Sequence, residues 1–257
     1  MASLSAAKAD VIGPLRAVFR IATLILLLLL MLPLHGLWRL LRLPSPWPRL
    51  FLGRVAALCG AAVMKQGKAL RHDVLFVANH VSWVDIPVLA GATGTAFVAH
   101  EGIAKWPLIG WLASLNNTIF VARADRLSVA GQIDTLREAL DARQPIAIFP
   151  EGTTTDGTEL LAFKPALFEV VVPPPKPMMV QPLLLDYGPS SPQVAWVGDE
   201  PALTNAWRLL VRPDSFPVRI DFLDPFDPTD FADRKAIAAE ARRRILRAAS
   251  ARAPGIV

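Results

Sequence analysis

Two groups of polar residues stand at the ends of apolar runs, and both contain side chains that move protons. The first, Asn79-His80-Val81-Ser82-Trp83-Val84-Asp85, follows Val74-Leu75-Phe76-Val77-Ala78. That run is short and rich in branched and aromatic residues, so it reads as a buried strand whose exit carries the polar group. Strand exits are where open α/β sheets place their chemistry. A carboxylate that holds one imidazole nitrogen protonated leaves the other free to take a proton from a hydroxyl, so His80 and Asp85 together suit a general base. Five steps of roughly 100° would set the two about 140° apart on a regular helix, off a common face. His80 is therefore expected on a turn, with Asp85 reaching back from the helix that follows. The bland alternative makes His80 a helix cap and Asp85 a solvated first-turn acid, since isolated His/Asp pairs are common.

The second group supports the chemical reading. Ile146-Ala147-Ile148-Phe149 is another short apolar run, and it ends in Pro150-Glu151-Gly152-Thr153-Thr154-Thr155-Asp156-Gly157. Two strands would thus deliver polar loops to one cleft. Here the sequence resembles the PlsC-type glycerolipid acyltransferases. Their Asn-His-x4-Asp motif matches Asn79, His80 and Asp85, and their Phe-Pro-Glu-Gly-Thr motif matches Phe149 to Thr153. Between these, Ile119-Phe120-Val121-Ala122-Arg123 matches a block ending in Arg, and Pro182 in Val180-Gln181-Pro182-Leu183 matches a Pro within a later strand. The motifs fall in the family's order, which makes the match far more specific than any one of them.

The resemblance implies direct acyl transfer from acyl-CoA or acyl carrier protein to the free hydroxyl of a lysolipid, with no cofactor and no metal. His80 and Asp85 would be catalytic. Asn79, Arg123, Glu151, Gly152, Thr153 and Thr154 would form the acceptor site, with Arg123 offering a charge-assisted fork to an anionic head group. The family's commonest activity, acylation of 1-acylglycerol-3-phosphate to phosphatidic acid, comes first. Two departures keep a second acceptor open: Thr154 stands where phosphate-binding members carry Arg, and His100 where a Lys is common. The string Glu151-Gly152-Thr153-Thr154-x-Asp156-Gly157, with Phe163-Lys164-Pro165 downstream, also resembles the lyso-ornithine lipid O-acyltransferase branch. A membrane thioesterase or hydrolase and a non-catalytic membrane scaffold are more distant alternatives. Ser82 close to His80 invites the hydrolase reading, but side chains two apart at a strand end diverge, and a packing or capping role is expected.

The elements that must hold these groups alternate strand-like and helix-like from Val74 onward, which predicts an α/β fold with a mostly parallel or mixed sheet flanked by helices. Pro182 suits an edge or a bulge. Val194 to Val197 reads as a strand, and Val129, Ile133, Leu136 and Leu140 as the apolar stripe of a helix. Ahead of this lies an expected N-terminal unit, residues 1–68, with the catalytic domain at 69–257. No formal charge occurs between Arg20 and Arg39, about the minimum length of a bilayer-spanning helix, although Pro33, His35 and Gly36 weaken its last turns. Trp38, Arg39 and Arg42 look like interfacial anchors, and no small-residue cleavage site follows, so a retained membrane segment is expected rather than a signal peptide. Leu50 to Met64, interrupted by Arg54, reads as a second helix lying in the interface.

The 27 Lys and Arg against 22 Asp and Glu give a net charge of +5. No nucleic-acid motif accompanies that charge, so a membrane surface is the expected partner. His35 and His72 lack ligand partners at metal-site spacing. A single cysteine, Cys59, excludes an intrachain disulfide. With no export signal, the catalytic domain is expected on the cytoplasmic side.

Overall fold

The computed structural model describes residues 2–121 and 144–252. Arg123 and the expected helix over Val129 to Leu140 lie outside them. The helices are α1 (Ala2–Leu40), α2 (Trp47–Leu58), α3 (Asp85–Thr93), α4 (Glu101–Ala104), α5 (Pro107–Leu115), α6 (Ser191–Val194), α7 (Ala202–Val211) and α8 (Arg234–Ser250). The strands are β1 (Ala61–Gln66), β2 (Val74–Ala78), β3 (Ala96–His100), β4 (Ile119–Val121), β5 (Ile146–Ile148), β6 (Met179–Asp186) and β7 (Phe216–Phe222). They form one sheet in the order β1-β7-β6-β2-β5-β3-β4, parallel except for the β6–β7 pair. The expected mixed, mainly parallel α/β architecture is therefore present.

β2 lies between β5 and β6 and is buried along its whole length, which explains its unbroken apolar run: both faces of an interior parallel strand are covered. On one face Phe76, Ala78, Val88, Leu89, Phe216 and Leu209 pack together; on the other, Leu75, Val77, Ile148, Phe168, Ile237 and Ile245 do so. The first core is roofed by α3 and α7, the second by α8. β2 and β3 are linked through α3, and crossovers between parallel strands are right-handed, so α3 returns over one face only. A Cβ on Gly91 of α3 would lie 2.5 Å from the Cα of Gly53, so this glycine lets α2 pack backbone against backbone on α3.

Two local expectations are corrected, and a third is met by one of its two alternatives. Leu50–Met64 is not one helix: α2 stops at Leu58, Gly60 turns with φ +98°, and Ala61–Gln66 pairs in parallel with β7. A short apolar stretch serves helix or edge strand equally well by composition, and the left-handed glycine decides between them. The sheet thus begins at Ala61, ahead of residue 68. Val194 to Val197 is no strand, but the end of the short α6 followed by a loop. Pro182 lies in an interior strand, opposite Val77 of β2, rather than at an edge. Its carbonyl accepts from Leu223 N at 3.1 Å, so its missing N–H also faces β7, at a break between the Val180–Phe226 bridge and the Leu183–Phe222 pair. The bulge half of that expectation holds. Gln181 Nε2 donates to Leu223 O at 3.0 Å, supplying the missing donor.

α1 is long and apolar enough to cross a membrane. Its first half is docked on the domain: Arg16 donates to Val211 O at 2.8 Å and Arg20 to Leu210 O at 2.8 Å, covering carbonyls that the end of α7 leaves open. At its other end Trp38 meets Trp47 edge-on at 5.6 Å and His35 Nδ1 bonds Ser45 Oγ at 2.8 Å, tying α1 to the start of α2. Between these ties Ile25, Leu26, Leu29 and Leu30 are exposed.

Candidate active site

β2 and β5 are adjacent and parallel, in register from Leu75–Ile146 to Val77–Ile148, so their C-terminal ends release the two polar loops side by side. The loops are bonded to each other. His80 N donates to Glu151 Oε1 at 2.8 Å and Thr155 N to His80 O at 2.9 Å. Glu151 Oε2 accepts from Leu161 N at 2.9 Å. Both Glu151 oxygens therefore serve the protein's own backbone. Burial pushes the Glu151 carboxyl above its ordinary range, against the pull of those two N–H groups.

Asp85 opens α3 and reaches back to His80, as the spacing requires. Its Oδ2 accepts from His80 Nδ1 at 2.7 Å, from Val81 N at 2.7 Å and from Ser82 N at 3.0 Å, while Oδ1 accepts from the Tyr187 hydroxyl. An ionised carboxylate only accepts, so Nδ1 carries the imidazole proton and Nε2 is left as the base. Asp85 is fully buried and the His80 side chain is 18% exposed, which sets a dry orienting group behind a reachable ring. That ring stacks on Phe149 at 4.1 Å, and Phe149 stacks on Phe97 at 5.9 Å.

The remaining residues singled out in the sequence divide by what they touch. Asn79 is buried and exchanges two bonds with the backbone of Leu185, Nδ2 to O at 3.0 Å and N to Oδ1 at 2.8 Å, extending the β2–β6 pairing by a side chain. Thr154 donates to Trp196 O, and Thr153 is exposed at the rim. Gly152 adopts φ +71°, and a Cβ there would meet the ammonium of Lys164, so this glycine lets a cation close over the loop. Ser82 Oγ is buried and has no hydrogen-bond partner among the described residues, a poor position for a nucleophile. Sequence reasoning missed Tyr187, and it named Lys164 only as part of the string that resembles the lyso-ornithine lipid branch, with no role at the site. For Tyr187 the hint was that it is the chain's single tyrosine.

The acyltransferase family model matches residues 61–185, from β1 through most of β6 and across both loops. A lyso-ornithine lipid O-acyltransferase from Brucella abortus is 32% identical over 91% of this chain and 94% of its own length. This chain belongs to the acyltransferase family. A second relative of this acyltransferase, a 1-acyl-sn-glycerol-3-phosphate acyltransferase from Neisseria meningitidis, is 29% identical over 72% of this chain and 73% of its own. The fold is shared with the crystal structure of the 1-acyl-sn-glycerophosphate acyltransferase of Thermotoga maritima: TM-score 0.63, 19% identity, 94% of this chain and 95% of that one. The matched span holds His80, Asp85 and Glu151 together, so the groups joined by geometry here are those the family model encloses.

Proposed function

We propose that this acyltransferase moves a fatty acyl group from acyl-CoA or acyl carrier protein to the free hydroxyl of a lysolipid. The observation that carries the reading is the His80–Asp85 pair, fixed in tautomer and orientation at the joined ends of β2 and β5. His80 Nε2 takes the acceptor hydroxyl's proton as the oxygen attacks the thioester carbonyl. The tetrahedral intermediate then collapses, the carbon–sulfur bond breaks, and the thiolate leaves with the proton from His80. No covalent acyl-enzyme, metal or cofactor enters the scheme.

Of the two acceptors, we favour lyso-ornithine lipid over 1-acylglycerol-3-phosphate. Thr154 stands where a phosphate-binding Arg would be, and its hydroxyl is committed to Trp196 O. The near-full-length relative bears the lyso-ornithine name. Lys164 over Gly152 supplies one cation for the acceptor's carboxylate, and Arg123 supplies a second in this reading. The phosphate acceptor is the second reading, supported by the Neisseria relative. α1 and α2 hold the enzyme on the membrane, with the catalytic domain on the cytoplasmic side where acyl carriers are made.

Purified full-length protein, labelled acyl donor and each lysolipid in turn test the proposal. Diacylated product is expected only with an acceptor present, faster with lyso-ornithine lipid. Free fatty acid released equally without acceptor would establish a hydrolase instead. A preference for 1-acylglycerol-3-phosphate that Thr154→Arg leaves unchanged would overturn the choice of acceptor.

A further inference from the structure

α7 is held unusually firmly for a helix with so much apolar surface. On its inner side Leu209 and Asn205 are fully buried. Asn205 Oδ1 accepts from Trp83 Nε1 at 2.9 Å, and its Nδ2 donates to Ala195 O at 3.0 Å and Glu200 Oε2 at 2.7 Å. Arg16 and Arg20 of α1 cover its C-terminal carbonyls. Its outer side nonetheless presents Leu203, 83% exposed, and Trp207, 45% exposed, four residues apart and so on one face. Val197, in the loop just before, is exposed as well.

We infer that this outer face of α7 lies in the head-group boundary of the same lipid leaflet that α1 contacts, and forms the membrane-side rim of the active site. Continuity identifies the occupant. The C-terminal end of α7 packs directly on α1, where a Cβ on Gly13 would touch Val211 at 3.4 Å, and the neighbouring Leu15 and Val18 of α1 are themselves exposed. A tryptophan and a leucine fixed beside an apolar helix match the side chains that settle at the lipid–water boundary. The other end of α7 leads to the catalytic loops: Trp83 bonds Asn205, Trp196 N donates to Val81 O at 3.0 Å, and Thr154 donates to Trp196 O. A lysolipid sliding along α7 would reach His80 without leaving the leaflet.

The inference rests on α1 being membrane-facing and not on the chemistry at His80, so it is tested without activity. Burial pushes the Cys59 thiol up to about 12, leaving it inert to labelling at neutral pH. In the full chain, Leu203→Cys therefore carries a single fluorophore. Lys235→Cys, exposed at the start of α8 on the opposite face of the sheet, serves as control. On vesicles of phosphatidylethanolamine and phosphatidylglycerol containing brominated lipid, the Leu203 label is expected to be quenched and the Lys235 label not. Equal quenching at both sites in vesicle-bound protein would overturn the inference. Leu203→Glu with Trp207→Glu is expected to raise KM for vesicle-borne lysolipid about tenfold. An unchanged vesicle KM would overturn it equally.

Discussion

The loop around Asp85 and the helix α1 solve opposite problems with opposite means. At Asp85, a fully buried carboxylate is surrounded by His80, two backbone N–H groups and Tyr187, so a charge is kept out of water by being completely satisfied. Along α1, Ile25, Leu26, Leu29 and Leu30 face outward with no cover among the described residues, between the ties made by Arg16 and Arg20 and the one made by His35. The first arrangement is finished by folding alone. The second is incomplete until lipid covers it, so its order should depend on the surroundings where that of the active site does not.

The largest effect should come from the base. His80→Ala is expected to abolish acyl transfer, because no neighbouring side chain among the described residues can replace the base, and to lower the thermal transition, because Asp85 loses one of its four donors and Phe149 its stacking partner. Near-normal turnover in a folded His80→Ala protein would refute the mechanism. Asp85→Asn should cost roughly ten-thousand-fold in kcat, the scale seen when an amide replaces the orienting carboxylate of a catalytic triad. The structure adds that the amide also meets four donors with fewer acceptor sites, so a stability loss visible in a thermal melt should accompany it.

A smaller change isolates Tyr187. Tyr187→Phe removes one donor to a charged acceptor, so a loss of about 1.5 to 3 kcal/mol in unfolding free energy is expected, with a smaller fall in kcat and little change in KM. If kcat holds, the Tyr187 hydroxyl supports the fold alone.

Glu151 provides a pH-dependent test. Its carboxyl is raised above the ordinary range by burial, so the folded state favours the protonated form. The stability this contributes is fully present below the unfolded pKa and is lost as pH rises through the folded one. The Glu151 contribution to stability should therefore fall across that window, and Glu151→Gln should remove it, making the slope of stability against pH more positive than in the wild type. The amide oxygen can replace only one of the two acceptors, so the variant should also lose about 1 to 3 kcal/mol through the unpaired N–H of His80 or Leu161. Parallel slopes in thermal melts of the two proteins would contradict this account.

The smallest effect is expected at the α1 dock. Arg20→Ala should cost about 1 kcal/mol in detergent, the worth of a typical hydrogen bond, and leave turnover on dispersed substrate unchanged. A catalytic defect there would mean that α1 shapes the active site and does not merely tether it.

Several of these features could be read directly from the chain. The buried strands β2 and β5 announce themselves as short apolar runs, the polar groups at their ends mark the cleft, and the His80–Asp85 spacing already demands a turn followed by a helix. Periodicity and residue type suffice there because they report which side chains leave water. Partnership across the chain is not contained in them. Glu151 and Asn79 stand in the right motifs, yet only the fold shows that they bond the backbone of His80, Leu161 and Leu185. Tyr187 lies 102 residues from the carboxylate it supports. The break after α2 was equally hidden, because the six-residue stretch Ala61–Gln66 becomes a strand only when β7 offers it hydrogen bonds. The sequence by itself determined where polar chemistry emerges from the sheet and that an apolar helix precedes it. The tertiary structure decided which buried polar atoms satisfy one another, since a hydrogen bond depends on distances between groups that sequence order does not specify.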